Sequence, residues 1–148
     1  MKKKKKLKFS TEKKKAWALF SKFIRLRDSF ATIGNGLQCK CITCPDIRNI
    51  YGMGCMQAGH FIPGRNNAVL FNEEQVHGQC YVCNKIKSGN WVEYERAMVK
   101  RHGRAHVEKM KTDAEQKVKM NAQDMVDIQV KYKQKIEDLG GFPLTSPS

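Results

Sequence analysis

Near the N-terminus, apolar positions follow a helical spacing. Trp17, Phe20 and Ile24 recur at three- and four-residue steps, Phe23 and Leu26 widen the face, and lysines and arginines occupy the other side. This predicts a helix capped by Ser10 or Thr11 and running to about Phe30, with "IGNG" (Ile33 to Gly36) as the turn that ends it. The pattern then changes. Residues 37–90 hold all six cysteines and six glycines and lack helical spacing, so short strands, knuckles and loops are expected. Helical spacing returns near Cys83, breaks at Ser88–Asn90 and resumes through Trp91, Tyr94, Met98 and Val99, with "RHG" (Arg101 to Gly103) as its stop. A short helix over Ala105–Lys111 follows. Asp113 to Leu139 reads as one long helix. Val118, Met125, Ile128, Tyr132 and Leu139 form its seam, which Asn121 and Lys135 interrupt. The seam either packs on its own domain, the preferred reading, or forms a coiled-coil contact in a homodimer.

These elements divide the chain into a disordered basic arm (1–9), one domain (10–112), the long helix (113–139) and a disordered tail (140–148). A length of 148 residues with 41% apolar composition suits one ordinary domain with an appendage.

Charge adds a partner. The net charge is +14, and it is uneven. Residues 1–15 carry nine lysines against Glu12, residues 16–112 carry 14 basic against 7 acidic side chains, and residues 113–148 carry 5 against 6. A basic surplus concentrated in the first two thirds points to a polyanion, with nucleic acid first. The run Lys2–Lys6 reads as a solvated tail, a phosphate-contacting arm or a localisation signal, and the run alone does not separate these. No stretch reaches the ~18 apolar residues of a membrane span, and no secretory signal is visible. The expectation is a soluble, cytoplasmic protein whose partner is DNA rather than a membrane or a small molecule.

In such a compartment, cysteines are metal ligands more often than disulfides. Cys41 and Cys44 form one C-x2-C pair, and Cys80 and Cys83 form another. Each tight turn presents two sulfurs, and two such knuckles supply the four ligands of a closed structural zinc site. A redox dithiol is the other use of the motif. Cys39 is near enough in sequence to substitute as a ligand, and Cys55 is expected to pack in the core. His60 lies between the knuckles and Asn84 directly follows the last cysteine. A strand–loop–strand–helix clamped by zinc would therefore set an imidazole facing a carboxamide.

With these residues in place, the chain resembles the HNH, or His-Me finger, endonucleases, and more closely the NinG/Rap family of phage recombination proteins. The resemblance rests on "FSKFIRLRD" (Phe20 to Asp28), "CITC", "QAGHFIPGRN" (Gln57 to Asn66), "QVHGQCYVCN" (Gln75 to Asn84), "SGN" and "YERAMVKRHG" (Tyr94 to Gly103), in order over about residues 16–105. It implies an α+β fold: a ββα-metal (His-Me finger) core clamped by a four-cysteine zinc site, with flanking N- and C-terminal helices. It also implies a phage-encoded nuclease that acts in the bacterial host on branched recombination intermediates, such as Holliday junctions and D-loops, with Mg2+ or Mn2+. His60 matches the general base of the motif, and Asn84 matches its last metal-binding position. Two positions depart from the pattern. Gly59 stands where many relatives place a metal-binding aspartate, and the middle asparagine of the motif falls near Gln75, with Asn72 as a neighbour.

The chemistry expected from this set is phosphodiester hydrolysis. Neutral His60 takes a proton from the attacking water, since an imidazole with its ordinary pKa of about 6.5 is a base near neutrality. Asn84 holds the divalent ion, Gln75 or Asn72 ties down the His60 loop, and Arg65 neutralises the phosphate. His77 is read as a packed strand histidine, and His102 and His106 as surface residues. Glu73, Glu74, Glu93 and Glu95 are the carboxylates available to complete a metal shell. The rival class is a non-catalytic zinc module that binds DNA, which the charge and cysteines fit equally well.

Overall fold

The apolar stripe of the N-terminal segment forms α1, Phe9–Thr32, in the computed structural model, which describes residues 4–63 and 67–143. Phe20, Phe23, Ile24 and Leu26 are buried along one side of it. Its start differs from the expected one. Lys8 is the N-cap and makes no side-chain capping bond, so Ser10 and Thr11 lie inside the first turn rather than capping it. Gly34, at φ 90°, takes the chain out of the helix, and the Asn35 side chain accepts the backbone N–H groups of Leu37 and Gln38 at 2.9 Å each.

Two small antiparallel sheets follow. β1 (Gln38–Lys40) pairs with β2 (Ile47–Asn49), and β3 (Gln57–His60) pairs with β4 (Val76–Gln79). In the second sheet His60 stands opposite Val76, and Gln57 opposite Gln79. The connection between β3 and β4 carries a single helical turn, α2 (Asn67–Leu70). A five-residue π-helical segment, Val82–Ile86, comes directly after β4. Then come α3 (Trp91–His102), α4 (Arg104–Asp113) and α5 (Ala122–Asp138). The architecture is α+β.

The "RLRD" end of α1 fastens the helix to the second sheet. Asp28 is buried, and its carboxylate accepts the Gly78 N–H at 2.8 Å and Arg27 Nε at 2.8 Å. Arg27 in turn donates to the carbonyls of Glu73 and Val76, at 2.8 and 2.7 Å. Strand and helix thus exchange hydrogen bonds that burial would otherwise leave unmade. Gly78 must be glycine for this approach, since a Cβ there would sit 2.6 Å from the Cys39 sulfur.

The long helix expected over 113–139 is two helices. α4 stops at Asp113 and α5 begins only at Ala122. Asn121, expected to interrupt a seam, is the cap of α5: its side chain accepts the Asp124 N–H at 2.9 Å and the Asp124 carboxylate accepts the Asn121 N–H at 2.7 Å. Val118 is exposed, while Met125, Tyr132 and Ile136 are buried, with Tyr132 edge-on to Phe20 and close to Phe23. The apolar seam offered above as a homodimer contact is therefore covered by α1 of its own chain. Phe142 joins the same core below Arg25, so the ordered chain extends past the expected start of the tail at 140. A second, smaller core holds Phe61, Tyr94, Met98, Val107 and Met110 between the sheet and α3–α4. No described helix is long and apolar enough to cross a membrane.

Candidate zinc centre and nucleic-acid groove

The two knuckles meet. The sulfurs of Cys41, Cys44, Cys80 and Cys83 all lie within 4.8 Å of one another. A tetrahedron with Zn–S bonds of about 2.3 Å has sulfur–sulfur edges of about 3.8 Å, and Cys44 and Cys80 are 3.7 Å apart. N–H donors face three of the sulfurs. The N–H groups of Cys80, Asp46 and Asn90 Nδ2 point at Cys41, Cys44 and Cys83, at 3.3, 3.4 and 3.5 Å. Burial pushes the Cys44 thiol up to about 12. Burial acts the same way on Cys83, but hydrogen bonds from Thr43 and Asn90 outweigh it and bring that thiol to about 7. The donor set fits one structural Zn2+, and a bound cation removes the cost of gathering several thiolates. Cys39 is buried outside the quartet, under Gly78. Cys55 is half-buried, with its sulfur 3.5 Å from Arg25 Nη1.

Beside this centre runs an open groove of about 1080 Å³, walled by α1 on one side and by β3 and the π-helical segment on the other. His60 and Asn84 both line it, as do Lys13, Lys14, Arg25 and Lys85. No carboxylate is among its described lining residues. The Trp17 ring stacks on the His60 ring, with centroids 5.1 Å apart. His60 Nε2 lies 3.2 Å from the Leu70 carbonyl oxygen. A carbonyl only accepts, so this bond puts a proton on Nε2. Asn84 Nδ2 donates to Gln57 Oε1 at 2.8 Å, which fixes the carboxamide and commits its oxygen as the acceptor end. That oxygen suits a hard divalent ion, whose remaining ligands would have to be water and phosphate.

Arg25 is a groove residue that sequence spacing did not single out. It is half-buried, and desolvation lowers its pKa. Its donors go to the carbonyls of Ser21 and Ile50, and no carboxylate faces it among the described residues. A half-desolvated cation without a counter-charge is an anion-binding feature. Trp17 was read only as core. Both residues reach the groove through the packing of α1, which has no local signal.

The other expected site residues fall as follows. Arg65 lies outside the described residues. Gln75 is buried, but its side chain borders a different cleft, beside α4 and α5, and its contribution near His60 is a main-chain bond from Phe61 N at 2.7 Å. Asn72 ties down the loop, its side chain accepting the Glu74 N–H at 3.0 Å. His77 is a packed strand histidine, 3.2 Å from the Tyr94 hydroxyl, and burial lowers it to about 4. His102 and His106 are half-buried with their rings 5.2 Å apart, rather than simply exposed. The four glutamates pair elsewhere: Glu73 with Lys135, Glu74 with His106, Glu93 with Arg96 and Glu95 with Lys111.

Gly59 has a steric explanation. A Cβ built there would lie 2.1 Å from Gln79 Oε1 and 2.9 Å from Gln79 Cβ. Gln79 cannot easily yield, because its Nε2 donates to Thr43 Oγ1 at 3.0 Å and to the Gly89 carbonyl at 2.8 Å. An aspartate at position 59 is incompatible with that arrangement, so the groove is built without it.

A family model described as "Bacteriophage Lambda NinG protein" matches residues 1–141. The chain belongs to the NinG family. Protein ninG of Salmonella phage P22 is 31% identical to it over 130 residues, and protein ninG of Escherichia phage lambda is 30% identical over the same length. Each alignment covers 85% of this NinG-family chain and 56% of the relative, so the chain spans little more than half the length of these curated relatives. The cysteine quartet and both walls of the groove lie inside the stretch that the NinG model matches. No solved structure matches the chain.

Proposed function

We propose that this NinG-family chain is a metal-dependent endonuclease that hydrolyses phosphodiester bonds in branched DNA, with His60 as general base. One observation carries the reading. His60 and Asn84 line a single cationic, carboxylate-free groove, on an antiparallel strand pair and the helical segment that follows it, and the cysteine quartet pins that segment. The proposal takes this strand pair and helical segment as the ββα core of a His-Me finger.

In this reading the Leu70 carbonyl and the Trp17 ring hold the His60 imidazole, which takes the proton of the attacking water. Arg25, Lys13, Lys14 and Lys85 draw the DNA backbone into the groove and neutralise the phosphate, which gives binding a steep salt dependence. Gln57 fixes the Asn84 carboxamide through its Nδ2, and the Asn84 oxygen would hold Mg2+ or Mn2+, which would supply Lewis-acid stabilisation of charge on the phosphate and the departing 3′ oxygen. Loss of the 3′ oxygen leaves the phosphate on the 5′ end of the nick. The cysteine site is structural in this scheme and takes no part in the reaction.

The test is the zinc-loaded full chain on a synthetic four-way junction and on a linear duplex of the same sequence, with Mg2+, with Mn2+ or with neither added. Metal-dependent nicks bearing 5′-phosphate ends, faster on the junction, support the proposal. Tight junction binding with no cutting in either metal would make the chain a non-catalytic DNA-binding zinc module.

A further inference from the structure

The second zinc knuckle has an outer face that the groove does not use. Tyr81 and Val82, the two residues between Cys80 and Cys83, are 54% and 44% exposed. Ile86, one turn on from Val82, is 65% exposed, and Trp91, at the start of α3, is 64% exposed. Four large apolar side chains exposed between Tyr81 and Trp91 are a concentration of the kind found at interaction sites. The segment is also basic. Lys85 and Lys87 are exposed among these residues, and no acidic side chain occurs from Val76 through Val92. Lys85 and Asn84 face the groove from the same helical turn that sends Val82 and Ile86 outward. The exposed apolar side chains therefore share one short segment with four groove-lining residues, Asn84, Lys85, Ser88 and Gly89.

We infer that Tyr81, Ile86 and Trp91 form a stacking platform for unpaired or unstacked DNA bases, with Lys85 and Lys87 on the flanking phosphates. The inference rests on the proposed DNA-cleaving role and specifies how a branched substrate is told from a continuous duplex. Aromatic and apolar side chains interleaved with cations match the chemistry of a single strand, whose bases offer π-faces and whose backbone is anionic. A duplex hides those faces, and a junction or flap exposes them at the branch. Apolar side chains also serve as wedges between base steps that are easily opened. A zinc ion in the quartet would fix the platform indirectly, through the cysteines on either side of Tyr81 and Val82, and Asn90, next to Trp91, donates to the Cys83 sulfur at 3.5 Å.

The experiment compares the wild-type chain with the double variant Tyr81→Ala/Trp91→Ala and the conservative variant Trp91→Phe, each checked for unchanged zinc content. Two readouts are taken: affinity for a labelled oligothymidine of about 20 nucleotides against a duplex of equal length, and the ratio of junction to duplex cutting with Mg2+. The double variant is expected to lose roughly tenfold or more in single-strand affinity and to cut junction and duplex at nearly the same rate, with duplex binding little changed. Trp91→Phe should keep most of both preferences, since phenylalanine still stacks. Unchanged single-strand affinity and an unchanged cutting ratio overturn the platform while leaving the nuclease reading intact. A shift from dimer to monomer in the double variant, with single-strand affinity unchanged, overturns it in favour of a protein-binding face. Loss of single-strand affinity in a protein that never cuts keeps the platform and removes the nuclease.

Discussion

Gly59→Ala is expected to destabilise the fold through one identified neighbour, Gln79. The new methyl group would sit 2.1 Å from Gln79 Oε1, 2.9 Å from its Cβ and 3.1 Å from its Cδ, so the glutamine side chain must leave its place. Leaving breaks its bonds to Thr43 Oγ1 and the Gly89 carbonyl. Two buried hydrogen bonds at about 1 kcal/mol each, plus overpacking of about 1–3 kcal/mol, give roughly 3–5 kcal/mol. For a chain of this size that corresponds to a fall in Tm of roughly 6–20 °C at about 2–4 °C per kcal/mol. Denaturant or thermal unfolding, at fixed excess zinc so that metal linkage stays constant, measures it. A double-mutant cycle isolates the cause. Gln79→Gly removes the three atoms nearest the new Cβ, so the alanine should cost far less in that background, leaving a coupling of about 3 kcal/mol. If Gly59→Ala is as stable as wild type, or if its cost persists beside Gln79→Gly, the steric account of the missing aspartate is wrong.

Three further outcomes follow from other parts of the structure. Elemental analysis should find about one zinc per chain, and Cys80→Ser or a strong chelator should abolish near-UV dichroism, because the quartet organises both knuckles. Asp28→Asn should cost about 2–3 kcal/mol in urea unfolding, since an amide NH2 would then face either the Gly78 N–H or Arg27 Nε. His77 is held near 4 by burial, against an ordinary value of 6.5. The unfolded chain takes up a proton there below about pH 6.5 and the folded chain does not until about pH 4, so stability falls across that window as pH falls. At about 1.4 kcal/mol per pH unit the loss reaches roughly 3 kcal/mol, and His77→Gln should flatten that part of the profile relative to wild type.

What was legible in the sequence was what local spacing controls. The α1 stripe and the C-x2-C pairs each encode their geometry within a few residues. The breaks at Ser88–Asn90 and Gly103 were legible too, because left-handed backbone there, with φ of 49° at Ser88, 46° at Asn90 and 85° at Gly103, interrupts a helix. The reading of 113–139 as one helix failed because Val118 sits in register with the seam yet faces solvent, while the Asn121–Asp124 box marks a helix start. Arg25 and Trp17 were missed as groove residues because only the packing of α1 on the β3–β4 pair brings Arg25 to the groove and Trp17 to His60. The reason for glycine at position 59 was equally out of reach, since Gln79 meets it across the sheet.

The central claim is that the His60 imidazole moves a proton during phosphodiester cleavage. Single-turnover cutting of a four-way junction by wild type and His60→Ala, with protein in excess over DNA and Mg2+ present, tests it most directly. The account predicts that the variant retains its zinc and its junction affinity but cuts at least about a hundredfold more slowly, the usual contribution of a general base. Cutting by His60→Ala at the wild-type rate, with zinc and binding intact, would contradict it.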